Sequence, residues 1–351
     1  MPATEDAPDV DVEHVGDGRH LTRVTRVQTT SGDAGRPFVL VAGVGVAATY
    51  FEFLAPTLAE SGDVFALDLP GFAGMPRPGD QPTAAFFADR VEEVLDHYGL
   101  VDPVIIGHSM GTQVVTEVLI RRPEVRHAVL VSPVVNDRES SLPLVALRFA
   151  QSATRETFHL AMTALSAYVL CGVVYFARVL PHLLRYRLIE RLPLVAASVL
   201  LIRGEFDPTS PRRFHSRLVA AARDARRWEI RGAAHSIINA HAIGAADLIV
   251  RHANDAIAPK GRMPAEKAVV PPPPHAGVDI VLSALRERFA EWWCAARGDE
   301  AGVERAKERH ARILWSAYSR SGRDPRRAAG AAKATATATE RPSGKDETPA
   351  M

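Results

Sequence analysis

The chain has 351 residues, 47% of them hydrophobic and 24% charged, which describes a globular protein with room for one large domain and an appendage. Its formal net charge of +1 removes the electrostatic case for a nucleic-acid or acidic-membrane partner. The two cysteines, Cys171 and Cys294, lie far apart and inside predicted helices, so neither a disulfide framework nor a zinc-ligand spacing is present, and no metal or other cofactor is expected.

Residues 1–18 begin acidic and have no apolar core of the kind a secretory signal needs, so the expectations are a loose N-terminus and a cytoplasmic location. Residues 20–28 alternate apolar and polar as an edge strand does. A short apolar strand over 37–42 runs into Gly43-Val44-Gly45-Val46. A helix over 50–60 and a buried strand over 64–67 follow, and the strand ends in the turn-forming Asp68-Leu69-Pro70-Gly71-Phe72. Residues 83–98 have helical spacing, with Ala84, Phe87, Val91, Leu95 and Tyr98 on one side. Next, a β-branched run starting at Val104 stops at Gly107-His108-Ser109-Met110-Gly111, and an apolar helical pattern occupies 112–120. Another strand, 128–131, ends at Ser132-Pro133. Apolar strands alternating with helices predict an α/β fold with a mostly parallel, doubly wound sheet covered on both faces.

The alternation breaks from about 142 to 194, where the sequence is helical and unusually apolar, and resumes with a strand at 197–203. A helix over 211–223, a strand over 226–230 and a helix over 241–252 complete the pattern. Pro271, Pro272, Pro273 and Pro274 make 253–277 an extended, semi-rigid linker. Two helices then follow: 278–296, with Val278, Val281, Leu282, Leu285, Phe289, Trp292 and Ala296 at helical spacing, and 299–318, with Val303, Ala306, His310, Ile313 and Ala317 on one face. Residues 321–351, including the basic Arg323, Arg326 and Arg327, read as a disordered tail. The predicted domains are thus a loose start (1–18), an α/β domain (19–252) with a helical insertion at about 138–195, a linker (253–277), a helical extension (278–320) and the tail.

A strand that stops at G-x-S-x-G and gives way at once to a helix is the nucleophile-elbow arrangement, in which small residues make room for a strained turn that lifts the serine hydroxyl. With these residues the chain resembles the α/β-hydrolase fold superfamily over 20–252, and the insertion after Val131 stands where that superfamily carries its cap. The resemblance implies a nucleophile, an acid and a histidine in that chain order. They match Ser109 as nucleophile, Asp207 of Gly204-Glu205-Phe206-Asp207 as the orienting carboxylate, and His235 of Gly232-Ala233-Ala234-His235 as general base. Asp207 and His235 both fall just past predicted strands, at the edge where such sheets build sites. Asp137 and Glu205 remain competitors for the acid, with Asp207 matching the commoner family pattern. The oxyanion donors implied are the backbone N–H groups of Met110 and Val44. Here the chain departs from its family: the usual His-Gly of that loop is Ala42-Gly43, and Met75 replaces a serine often found after the Asp68 turn.

Residues 160–177 carry no charge and reach the roughly 18 residues of a membrane span. A span there would separate Ser109 from Asp207 and His235 across the bilayer, so a cap helix is the expectation. Its apolar surplus points to a lipophilic small-molecule substrate, and hydrolysis of a carboxylic ester through an acyl-enzyme is the function expected. The same residues are compatible with a cofactor-free haloperoxidase or perhydrolase, a thioesterase or a carbon–carbon hydrolase. Two further classes stay open: a non-catalytic small-molecule binder, and a scaffold or self-associating protein built on the C-terminal helices with Trp292, Trp293 and Trp315.

Overall fold

The computed structural model describes residues 10–29, 35–156, 160, 164, 167–168, 170–269 and 278–319. Its strands are β1 (Val10–Val15), β2 (Thr22–Val27), β3 (Phe38–Val41), β4 (Val64–Asp68), β5 (Val104–His108), β6 (His127–Val131), β7 (Ser198–Gly204), β8 (Ala225–Ile230) and β9 (Lys260–Met263). They form one sheet in the order β1-β2-β4-β3-β5-β6-β7-β8-β9, antiparallel at β1/β2 and β2/β4 and parallel everywhere else. The strand order reverses where β3 lies between β4 and β5, and that switch point opens the crevice in which open α/β sheets bind their ligands.

Strands β3, β5 and β6 are buried at every position because helices cover both faces of the sheet. Alternate residues serve alternate cores. Val39, Val41, Ile105, Ala128 and Leu130 face one hydrophobic cluster, and Leu40, Ile106, Val129 and Val131 face the other. The first cluster is closed by α2 (Ala84–His97), through Phe87, Val91 and Val94, and by α3 (Gly111–Arg121). Thr83 starts α2 by accepting a hydrogen bond from the Phe86 N–H at 3.1 Å. The second cluster is closed by α1 (Leu54–Ala59), through Leu54 and Leu58, against the C-terminal part of the sheet domain. Each fully buried Leu, Val or Phe contributes about 1.5–3 kcal/mol relative to exposure.

Between β6 and β7 the cap contributes α4 (Leu142–Ala153), α5 (Val173–Arg185) and the short α6 (Leu188–Arg191). The expected single helix over 160–177 is interrupted, since α5 begins anew after Gly172, and part of that stretch lies outside the described residues. Among the described residues no helix is long and apolar enough to cross a membrane. After β7 come α7 (Arg212–Ala221), α8 (Ile237–Ala240) and α9 (Ala242–Ala253); α9 is the helix expected over 241–252, and the single turn α8 before it was not expected.

Two expectations are corrected at the edges of the sheet. Part of the N-terminus expected to be loose is β1, paired with β2 from Val10↔Val27 to Val15↔Thr22. Only Val10 and Val15 of β1 are buried, so its apolar signal is faint, and the ladder with β2 holds it in place. The stretch read as an extended linker supplies β9, parallel to β8, and the single turn α10 (Ala265–Ala268), while 270–277 lie outside the described residues. The C-terminal helices α11 (Val278–Ala296) and α12 (Glu300–Ser319) pack on each other, and α12 runs along β1, where His14 Nδ1 meets Glu304 Oε1 at 2.9 Å. The tail expected over 321–351 lies outside the described residues.

Candidate active site

Ser109 follows the last residue of β5, and α3 begins two residues after it. Its φ of 56° is left-handed, a conformation that costs a non-glycine residue about 1–3 kcal/mol and persists only when its surroundings enforce it. They do so here through backbone and side-chain hydrogen bonds. The Ser109 N–H donates to Val131 O at 3.0 Å, and Thr112 donates to Ser109 O from its N–H at 3.1 Å and from Oγ1 at 2.6 Å. A side chain at Gly107 would strike the Gly111 carbonyl, and one at Gly111 would strike the carbonyl of Val41. The turn fits its neighbours only with both glycines.

The loop after β3 comes up against the same serine. A Cβ at Gly43 would lie 3.0 Å from Ser109 Cβ, so the small residue lets this backbone approach the hydroxyl. Val44, expected as an oxyanion donor, is buried in this loop, and Met110 is buried at the entrance to α3. A helix leaves its first N–H groups without intrahelical partners, which makes the Met110 end of α3 a donor site.

His235 occupies the loop between β8 and α8, and Asp207 the loop after β7. Asp207 Oδ2 lies 3.1 Å from His235 Nδ1, and both residues are buried. The other carboxylate oxygen, Oδ1, accepts from Thr209 Oγ1 at 2.6 Å, Thr209 N at 2.9 Å and Ser210 N at 3.2 Å. Burial alone would push the Asp207 carboxyl up, but His235 and these donors outweigh it and hold the group well below the ordinary carboxylate range. Burial likewise works against the His235 imidazolium, and the Asp207 charge and hydrogen bond overcome it, aided by Glu156, so the histidine titrates above its usual value. Since Nδ1 faces a carboxylate, it carries the proton in the neutral ring, and Nε2 keeps its lone pair. Nε2 is buried with no hydrogen-bond partner among the described residues.

The competing acids are engaged elsewhere. Asp137 takes both guanidinium nitrogens of Arg217 at 2.7 and 2.8 Å. Glu205 accepts from the Gly232 N–H at 3.1 Å and from Arg262 at 2.7 Å. An open cavity of about 630 Å³ beneath β7 and β8 is lined by Arg203, Arg212 and Arg262, whose charges converge on Glu229, and Ser109 takes no part in it. Among the described residues no group of three or more His, Cys, Asp or Glu side chains could hold a metal ion.

Several contributors escaped the sequence reading. His108, the residue before Ser109, donates from Nε2 to the His235 carbonyl at 3.1 Å, and Ser132 Oγ donates to the same oxygen at 2.9 Å. Complete burial, and then the neighbouring His235, push His108 down to about 3, so it is a neutral strut between the end of β5 and the His235 loop. Glu156 of the cap accepts from the Ser236 N–H at 3.0 Å, and Ser236 Oγ pairs with Tyr50 Oη at 2.6 Å. Burial raises the Glu156 carboxyl above its usual range. Aromatic side chains line the approach: Phe149 stands edge-on to His235 at 5.4 Å, and Tyr168 and Phe176 close on Gly45. Of these, only Ser132 carried a legible signal, a small polar residue directly after a buried strand.

The family model for the alpha/beta hydrolase fold matches residues 36–160. Over 89 residues the chain is 34% identical to the dihydrolipoyllysine-residue acetyltransferase component of the acetoin cleaving system of Pseudomonas putida, covering 25% of this chain and 24% of that protein. Over 135 residues it is 30% identical to 2-hydroxymuconate semialdehyde hydrolase of Pseudomonas sp. (strain CF600), covering 37% of this chain and 46% of the relative. The chain thus aligns with about a quarter to a half of the length of these relatives. Among solved structures, the meta-cleavage product hydrolase CumD of Pseudomonas fluorescens IP01 superposes with a TM-score of 0.57 at 18% identity, over 70% of this chain and 98% of that one.

Proposed function

We propose that this chain is a serine hydrolase of the α/β-hydrolase fold superfamily that cleaves a lipophilic carboxylic ester through an acyl-enzyme. The observation that carries the reading is the polarity of His235. Its Nδ1 faces Asp207 at 3.1 Å, and its Nε2 is left unpartnered in a site whose serine is held in a strained left-handed turn. In the proposed first step Ser109 Oγ attacks the ester carbonyl carbon while its proton passes to His235 Nε2, and Asp207 stabilises the resulting imidazolium. The carbonyl π electrons move to oxygen, where the Met110 and Val44 N–H groups receive the charge. The tetrahedral species collapses by breaking the bond to the alcohol oxygen, which leaves with the proton from His235. Water, deprotonated by the same Nε2, then releases the acid and restores Ser109.

The lining supports an apolar substrate. Phe149 beside His235, and Tyr168 and Phe176 against the loop after β3, offer hydrocarbon surface. The similarity to 2-hydroxymuconate semialdehyde hydrolase favours a second reading, carbon–carbon hydrolysis on the same residues. A panel of p-nitrophenyl esters of increasing acyl length, run on wild type and Ser109→Ala, tests the proposal. Turnover that rises with chain length and vanishes in Ser109→Ala is expected. Turnover confined to meta-cleavage products favours the second reading, and a folded wild type inert to esters and to a fluorophosphonate sinks both. We also propose that Phe289, Trp292 and Trp293, exposed on α11, mediate self-association, which size-exclusion chromatography of Trp292→Ser and Trp293→Ser checks.

A further inference from the structure

The loop after β3 lacks the histidine its family resemblance predicts, because position 42 is alanine. Two buried ionic struts reach that loop from the other end of the chain. In the first, Lys307 of α12 and Arg23 of β2 both pair with Asp68 Oδ2, Arg23 at 3.0 Å. Asp68 Oδ1 accepts the backbone N–H of Ala48, which opens the turn Ala48–Phe51 that closes the loop. Lys307, Asp68 and Arg23 are each at most 3% exposed, and Glu291 of α11, 4.0 Å from Lys307, balances the second positive charge. In the second strut, Arg288 of α11 and His310 of α12 reach Glu52 Oε2 at 2.8 and 3.2 Å. Glu52 directly follows the same turn, and its Oε1 accepts from Asn239 Nδ2 at 3.1 Å, in the helix that begins two residues after His235.

We infer that the C-terminal hairpin is a positioning device for the active site: Lys307 and Arg288, acting through Asp68 and Glu52, hold the backbone that presents the second oxyanion donor. The inference rests on the serine-hydrolase reading and deepens it. Burial favours the neutral forms of both partners in the first strut, and the Asp68 carboxyl is nevertheless held below its usual range by Lys307 and Arg23. A carboxylate fixed by two cations and aimed at one backbone N–H leaves that segment little freedom. Displacement of an oxyanion donor by about 1 Å, or its loss, costs roughly 10²-fold in rate, so even partial slackening of the loop registers in turnover.

The test compares Lys307→Met with wild type and with Lys307→Arg in the full-length protein, on a p-nitrophenyl ester. Affinity for an aryl trifluoromethyl ketone is read in parallel, because this ligand adds to Ser109 as a tetrahedral oxyanion and reports on the donors directly. Expected for Lys307→Met are a kcat lower by about tenfold or more, KM within about twofold, and ketone affinity weakened in step with kcat. Lys307→Arg, which keeps the charge, recovers both. Full kcat and full ketone affinity in a folded Lys307→Met with a lower melting temperature would overturn the inference, since the hairpin would then be structural only. Should Lys307→Met fail to fold, Arg288→Met decides at the more accessible strut, where unchanged kcat and ketone affinity overturn it and a parallel loss of both sustains it. A wild type that neither turns over esters nor binds the ketone defeats the serine-hydrolase reading, and the inference with it.

Discussion

Thr209 Oγ1 lies 2.8 Å from His235 Nδ1, closer to that nitrogen than Asp207 Oδ2 at 3.1 Å. The threonine gives its own proton to Asp207 Oδ1 at 2.6 Å, so its oxygen is free to accept from Nδ1. The Nδ1–H is therefore shared between a hydroxyl and a carboxylate that are themselves bonded. Hydrogen bonds to charged groups contribute about 1.5–3 kcal/mol each, and here Asp207 retains its bonds to the Thr209 and Ser210 N–H groups when the hydroxyl is removed. Thr209→Val is expected to lower kcat by about tenfold with little change in KM. Steady-state kinetics on one ester suffice, and an unchanged kcat would assign the orientation of the ring to Asp207 alone.

The acid is tested by a pair of substitutions of equal chemistry. Asp207→Asn removes the anion that selects the Nδ1–H tautomer and is expected to cost about 10⁴ in kcat. Asp137→Asn alters a part-exposed pair with Arg217 in which His235 takes no part, and is expected to leave kcat within about twofold. The reverse ranking would transfer the orienting role to Asp137.

The rate should depend on pH through His235. In the proposed mechanism His235 must be neutral to accept the Ser109 proton, and its folded pKa is raised above 6.5, so kcat/KM is expected to climb with pH through a limb centred above that value. The Asp207 charge is what raises it, so the residual activity of Asp207→Asn should show the limb displaced to lower pH. Stability has the opposite sign for the two partners. The contribution from His235 is fully present below its unfolded value of 6.5 and fades as pH rises through the folded pKa. The contribution from Asp207 is present above its unfolded value of 3.8 and fades as pH falls through the depressed folded pKa. Denaturant titrations of wild type and His235→Gln across pH 4–9 should therefore converge toward the alkaline end.

Backbone strain at the nucleophile should be measurable as stability. Ser109→Gly adopts φ 56° freely, whereas Ser109→Ala retains the left-handed penalty. Glycine also gains entropy in the unfolded chain, so the glycine variant is expected to be more stable than the alanine variant by only about 1 kcal/mol. Urea midpoints of the two inactive proteins give the comparison, and a more stable alanine variant would mean that the turn carries no strain.

How much was legible depended on how local each feature is. Gly107-His108-Ser109-Met110-Gly111 could be read directly because the strand, the turn and the helix are consecutive in sequence. Asp207 and His235 were readable because each follows a strand of the alternating pattern, and a parallel sheet brings all its carboxyl ends to one edge. The edge strands β1 and β9 were not, because an edge strand exposes most of its side chains and leaves little apolar period to detect. Lys307 shows the same limit more sharply. It lies four residues after Val303, on the buried face of α12, yet a lysine in a helix is ordinarily read as solvent-facing.

The sequence by itself determined the α/β alternation, the turn at Ser109 and the places of Asp207 and His235 just past later strands, since apolar periodicity and turn chemistry act over a few residues. Only the tertiary structure decided that Asp207 rather than Asp137 faces His235, that Thr209 shares the Nδ1 proton, and that Asp68 meets Lys307. The last of these pairs joins residues 239 positions apart; such contacts depend on where the folded backbone carries each side chain, and no local pattern in the chain records that.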